Sequence, residues 1–86
     1  NEKKLMFQDY LRSQIHMYRN FHAFSQEYMA EALRVSPRSY IDQEHGKYGF
    51  SAMTLVYYVF LLTDEEILIF FKELKILIGR RNGDAA

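Results

Sequence analysis

Apolar positions recur at helical spacing along the chain and are parted by short polar breaks, which divides it into five segments. From Glu2 to Asn20, Leu5, Leu11, Ile15 and Tyr18 fall on roughly one face, and no Gly or Pro interrupts the run. That pattern predicts a long first helix, with His22 and Ala23 as the connection to the next. Ser25 is a good N-cap, and Tyr28, Met29, Ala32 and Leu33 then share a face, predicting a second helix over 25–33. Ser36 followed by Pro37 is a stronger start signal, because proline's missing N–H and fixed φ suit the first helical position. Gly46 supplies a left-handed stop for this third helix. Only Arg34 and Val35 lie between the two; Ala30 is small enough to let the third helix cross closely, and Val35 plugs the corner.

Residues 47–50 read as a loop, and Ser51 caps a fourth helix running to Leu62. This helix is apolar almost all round, which predicts burial, and it is far shorter than the roughly 20 apolar residues of a membrane span. Thr63 and Glu66 form a capping box for a fifth helix, which runs to Ile78 and ends at Gly79. Ile67, Phe70, Phe71, Leu74, Leu77 and Ile78 form its main stripe, while Leu68, Ile69 and Ile76 lie outside it. One neighbour cannot cover so much apolar surface, so the surplus predicts a twofold homodimer with Tyr57, Phe60, Leu68, Ile69 and Ile76 at the interface. The expected architecture is all-α: five helices in a single domain over residues 1–86, with 63–80 as a C-terminal dimerisation helix.

Two short helices joined by a tight turn outline a helix-turn-helix, whose second helix enters the DNA major groove with its N-terminal residues against base edges. The residues that fill this outline are Ser25-Gln26-Glu27, Ala30, Leu33, Val35-Ser36, Glu44 and Gly46-Lys47, preceded by Ile15, Tyr18 and Arg19. In identity and spacing they resemble the Xre/Cro-like, or lambda-repressor-like, family of phage and bacterial DNA-binding regulators, over residues 15–62. The first and last helices extend beyond that core, and residues 2–11 have no counterpart in the motif. The resemblance implies that Pro37, Arg38, Ser39 and Asp42 face the bases and that Ser25, Gln26, His45 and Lys47 meet phosphates. It also implies that Arg19 pairs with Glu44, tying the first helix to the recognition helix. Arg38 is suited to a bidentate contact with guanine O6 and N7, and Asp42 to accepting from cytosine N4.

Four residues depart from the family pattern. Arg34 stands where glycine is common, at a turn position that often needs positive φ; Gln43 stands where an apolar core residue is usual. Asp42 brings a negative charge close to phosphates, and Pro37 removes a donor from a base-reading position. A helix-turn-helix retained as a protein-interaction module, without DNA binding, is therefore the alternative reading.

Charge does not decide between the two. The chain carries 11 basic and 11 acidic residues, and residues 21–50 hold three basic against four acidic side chains. Non-specific DNA affinity should therefore be weak and salt-sensitive, and a tight complex needs well-aimed contacts from two copies. At 86 residues the chain supports one small core, to which a dimer interface adds stability. The absence of cysteine excludes disulfides and cysteine-ligated zinc and suits a cytoplasmic location. The start, Asn1-Glu2-Lys3-Lys4, lacks both a methionine, as in a trimmed chain, and the apolar run of a secretory leader. His16, His22 and His45 lack metal-binding spacing, and no nucleophile triad or phosphate-binding glycine loop is present. The expectation is a non-enzyme without cofactor or small-molecule ligand, partnered by double-stranded DNA and a second copy, with no membrane association.

Overall fold

Side-chain caps start every helix of the computed structural model, which describes residues 1–80. Asn1 Oδ1 accepts from Lys4 N to open α1 (Glu2–Phe21). Ser25 Oγ accepts from Tyr28 N to open α2 (Gln26–Ala32), and Ser36 Oγ accepts from Ser39 N to open α3 (Pro37–Glu44). Ser51 does the same through Thr54 N for α4 (Ala52–Leu61). Thr63 and Glu66 form the reciprocal capping box that opens α5 (Asp64–Ile78). Each cap satisfies N–H groups that the helix itself leaves unpaired, worth about 1 kcal/mol apiece. Residues 81–86 of the expected single domain lie outside the described residues.

The core draws on all five helices and the loop before α4. Leu11 and Ile15 of α1, Met29, Ala30 and Leu33 from α2 and its end, Tyr40 of α3, Phe50, Tyr58 of α4 and Phe70 of α5 are all buried. Burying each large apolar side chain contributes roughly 1.5–3 kcal/mol. Aromatic rings connect the layers: Tyr18 meets Tyr58 edge-on at 5.9 Å, Tyr58 meets Phe70 at 5.6 Å, and Phe70 meets Tyr10 at 5.2 Å.

Residues 2–11 tie α1 to α5 and to the loop before α4. Tyr10 donates to the Phe70 carbonyl at 2.8 Å, and Lys3 donates to the Ile78 and Arg80 carbonyls, completing the C-terminal end of α5 with a positive charge where the helix dipole favours one. Burial, with the nearby Glu73 carboxylate, pushes the Tyr10 phenol up to about 12. Gln8 grips both backbone groups of Phe50, accepting from its N–H at 2.7 Å and donating to its carbonyl at 2.9 Å. Gly49 leaves room for that grip, because a Cβ there would sit 3.0 Å from Gln8 Oε1.

Four expectations about faces are corrected. Leu5 is exposed, and Phe7 and Tyr10 take the inward positions on the first turns of α1. Tyr28 is half exposed and stacks on Phe24 at 4.2 Å instead of entering the core. The fourth helix is not buried all round: Met53, Val56 and Phe60 stand on an open face. Phe71 does not belong to the buried stripe of α5, which is Phe70 flanked by partly buried Ile67, Leu74, Leu77 and Ile78. Between α2 and α3, Arg34 takes φ +60, a left-handed conformation, and its guanidinium lies 4.2 Å from the Tyr57 ring centroid. The positive φ costs of order 1–2 kcal/mol and the cation–π contact returns about 0.5–1 kcal/mol of it. Gly46 is left-handed as expected, at φ +86. No helix among the described residues is long and apolar enough to cross a membrane.

Candidate nucleic-acid interface

Helix α3 is fixed from its inner side by a buried ionic cluster centred on Glu44. Arg19 reaches across from α1 in a two-point contact, Nε to Oε2 at 2.8 Å and Nη2 to Oε1 at 3.0 Å. Gln26 Nε2 donates to Oε1 at 2.9 Å from the start of α2, and the Tyr40 hydroxyl, one turn earlier on α3, donates to Oε2. His16 Nδ1 lies 3.5 Å from Oε2 at the rim. Only 3 % of the Glu44 side chain and 17 % of Arg19 are exposed. Burial pushes the Glu44 carboxyl up, but the hydrogen bonds from Arg19, Tyr40 and Gln26 outweigh it and hold it down at about 2. The same contacts, led by the Glu44 hydrogen bond, raise Arg19; burial and then Glu44 raise the Tyr40 phenol. The Arg19–Glu44 pair read from the sequence is therefore present and joins α1 to α3, and Gln26 adds α2 to the cluster.

The outer side of α3 is open. Pro37, Arg38 and Ser39 are exposed on its first turn, directly after the Ser36 cap. The Arg38 side chain is 82 % exposed, and its Nε lies 3.7 Å from Asp42 Oδ2, one turn along the same face. Such an exposed i, i+4 pair is worth about 0.3–0.5 kcal/mol, whereas a bidentate guanine contact is worth about 1–3 kcal/mol, so the pair does not prevent Arg38 from engaging a base. Asp42 is the less accessible partner, with 19 % of its side chain exposed. The Ser39 hydroxyl accepts from Ser36 Oγ at 2.9 Å and is held close to the helix start.

The residues assigned to phosphates divide. Ser25 is exposed with its oxygen capping α2, and His45 and Lys47 are exposed beyond the end of α3, Lys47 with its ammonium 5.5 Å from the Tyr48 ring centroid. Gln26 points inward to Glu44, although its amide carries a second proton that this bond leaves over. Beside them, Arg12 Nε donates to the Gln43 carbonyl at 3.1 Å and Arg12 Nη1 pairs with Asp9 at 2.8 Å, which places a guanidinium under the Gly46 turn. Of the residues assigned to the dimer interface, Phe60, Leu68, Ile69 and Ile76 are exposed, while Tyr57 is partly buried beneath Arg34.

Tyr40, His16 and Arg12 were not singled out from the sequence. Two signals existed: Tyr40 and Glu44 are four apart, and His16 and Arg19 three apart, so each pair shares a helix face. Gln43 carries a different signature. Its Nε2 donates to the Gly49 carbonyl at 3.3 Å, but its Oε1 is buried without a partner. An unsatisfied buried oxygen costs about 1–3 kcal/mol. Gln43→Leu is therefore expected to raise stability by about 1 kcal/mol in urea denaturation, and a loss of stability would show that the Gly49 contact matters more than the orphaned oxygen.

Among the described residues, no group of three or more His, Asp or Glu side chains gathers in a way that would hold a metal. No family model, curated protein or solved structure matches the chain.

Proposed function

We propose that the chain is a sequence-specific DNA-binding regulator of the lambda-repressor-like helix-turn-helix class, acting as a twofold homodimer that occupies an operator and blocks polymerase. The observation that carries this reading is the two-sidedness of α3: Tyr40 and Glu44 lock its inner face, while Pro37, Arg38 and Ser39 stand free at its capped N-terminus. A rigidly held short helix with an exposed arginine on its first turn suits entry into the major groove. Arg38 reads guanine, Ser39 an edge or phosphate, and Asp42 a cytosine amino group; Pro37 packs against the bases. Ser25, His45, Lys47 and the remaining amide proton of Gln26 hold phosphates on either side. The left-handed turn at Arg34 supports the reading, because it is the backbone geometry that the family's glycine serves.

The dimer rests on the exposed apolar residues of α4 and α5, Phe60, Leu68, Ile69 and Ile76, with Tyr57 at its edge. Those same side chains favour the second reading, an interaction module that binds another protein through α4 and α5 and leaves α3 idle.

Lys47→Gln tests the proposal by titration of a labelled duplex at low and high salt. Removing a cation from a phosphate contact is expected to weaken binding severalfold at low salt and to reduce the dependence of binding on salt. Equal binding by the parent and the variant at every salt concentration would contradict phosphate contacts beside α3.

A further inference from the structure

On the side of the molecule formed by α1, α4 and α5 lies an open groove of about 310 Å³. The second half of α1 forms one wall, the first half of α5 the other, and α4 the floor. Five rings line it: Tyr18, Phe21 and His22 from the end of α1, Tyr58 from α4, and Phe70 from α5. Phe21 is 85 % exposed and set edge-on against His22 at 5.1 Å, so its ring contributes almost nothing to the core.

One formal charge lies among the lining residues, the Glu66 carboxylate. Its Oε1 accepts from the Thr63 N–H in the capping box, and among the described residues Oε2 accepts no hydrogen bond. The field of that carboxylate reaches across the groove: the phenols of Tyr18 and Tyr58 are raised by burial first, and both are raised further by the charge on Glu66. Aromatic faces attract cations through their quadrupole, and a lone carboxylate beside them sets the sign of the guest. The volume lies at the small end of ligand sites, which span about 300–1,000 Å³, so the guest is limited to about one ring with a compact head group.

We propose that this groove is a binding site for a small lipophilic organic cation, its ammonium group directed to Glu66 and its body laid against Tyr18 and Phe21. The site does not depend on α3 contacting DNA, because none of its lining residues belongs to α2 or α3. Its competitor is a second copy of the chain, since Ile69 lines the groove and is also an expected interface residue.

The test is titration of benzyltrimethylammonium into the full chain, followed by side-chain NMR, with benzyl alcohol and phenylacetate as neutral and anionic controls. Saturable shifts are expected at Tyr18, Phe21, His22 and Ile69, with both controls binding at least fivefold more weakly. Glu66→Gln keeps the capping box and removes the charge, and is expected to weaken the cation at least fivefold. Phe21→Ala removes an exposed ring without touching the core and should weaken it as well. Shifts elsewhere, no saturation, or equal binding by Glu66→Gln would overturn the proposal. So would a dimer that Phe21→Ala dissociates while the cation never binds, which would assign the groove to a second copy.

Discussion

Glu44→Leu is expected to lower the stability of the chain by about 3–5 kcal/mol, the loss typical when one partner of a buried ion pair is removed and the other stays behind uncompensated. Arg19 is that other partner, mostly buried and aimed at the vacated position, and Tyr40 and Gln26 lose their acceptor at the same time. The total stability of a chain this size is roughly 4–13 kcal/mol, at about 0.05–0.15 kcal/mol per residue, so the variant should lose a large fraction of it. Arg19→Met should be similarly damaging, but the double variant Arg19→Met/Glu44→Leu leaves no buried charge and should be more stable than the sum of the two losses implies. Urea denaturation of the four proteins gives the coupling directly. A Glu44→Leu loss below about 1 kcal/mol would mean that the cluster does not hold α3.

Acid should act on the same cluster. The Glu44 carboxyl is held at about 2 in the folded chain, against an ordinary value of 4.5. Because the folded value is the lower one, the stabilisation is complete above pH 4.5 and is lost as the pH falls from 4.5 towards 2. At about 1.4 kcal/mol per pH unit of separation, the loss is roughly 3 kcal/mol. A urea midpoint that is flat between pH 5 and 3 would contradict the low value.

Much of this fold is written in local sequence signals. Ser25, Ser36-Pro37, Ser51 and the Thr63/Glu66 box each mark a helix start within a residue, because capping depends only on groups two or three positions away. Gly46 marks the end of α3 for the same reason. Where the reading failed, the deciding contacts are distant in sequence. Nothing near Gln26 announces that its amide turns towards Glu44, and nothing near Leu5 announces that α5 lies against Tyr10 instead. Phe71 and Phe70 are adjacent and equally apolar, and the placement of α1 and α4, through Tyr10 and Tyr58, decides which is buried. Of the candidate interface, Pro37, Arg38 and Ser39 are exposed on the first turn of α3 and His45 and Lys47 beyond its end; the Arg38–Asp42 pairing follows from i, i+4 spacing, although from the sequence the two are read as separate base contacts.

The second large effect concerns Arg38. Its side chain is 82 % exposed and makes one loose ion pair, so Arg38→Ala should leave stability within about 0.5 kcal/mol of the parent. A lost guanine contact is worth about 1–3 kcal/mol, a reduction of roughly 5–150-fold in preference for the preferred base, doubled in the exponent if two copies bind one site. The separation between an intact fold and a lost preference is what distinguishes a base-reading arginine from a structural one.

The most direct measurement is therefore selection of bound duplexes from a random DNA pool at moderate salt, run in parallel on the parent chain and on Arg38→Ala. A two-half-site motif is expected for the parent, its half-sites about one helical turn apart, with loss of a guanine from that motif in the variant. A folded parent chain that enriches no motif, or a motif that Arg38→Ala leaves unchanged, would contradict that expectation.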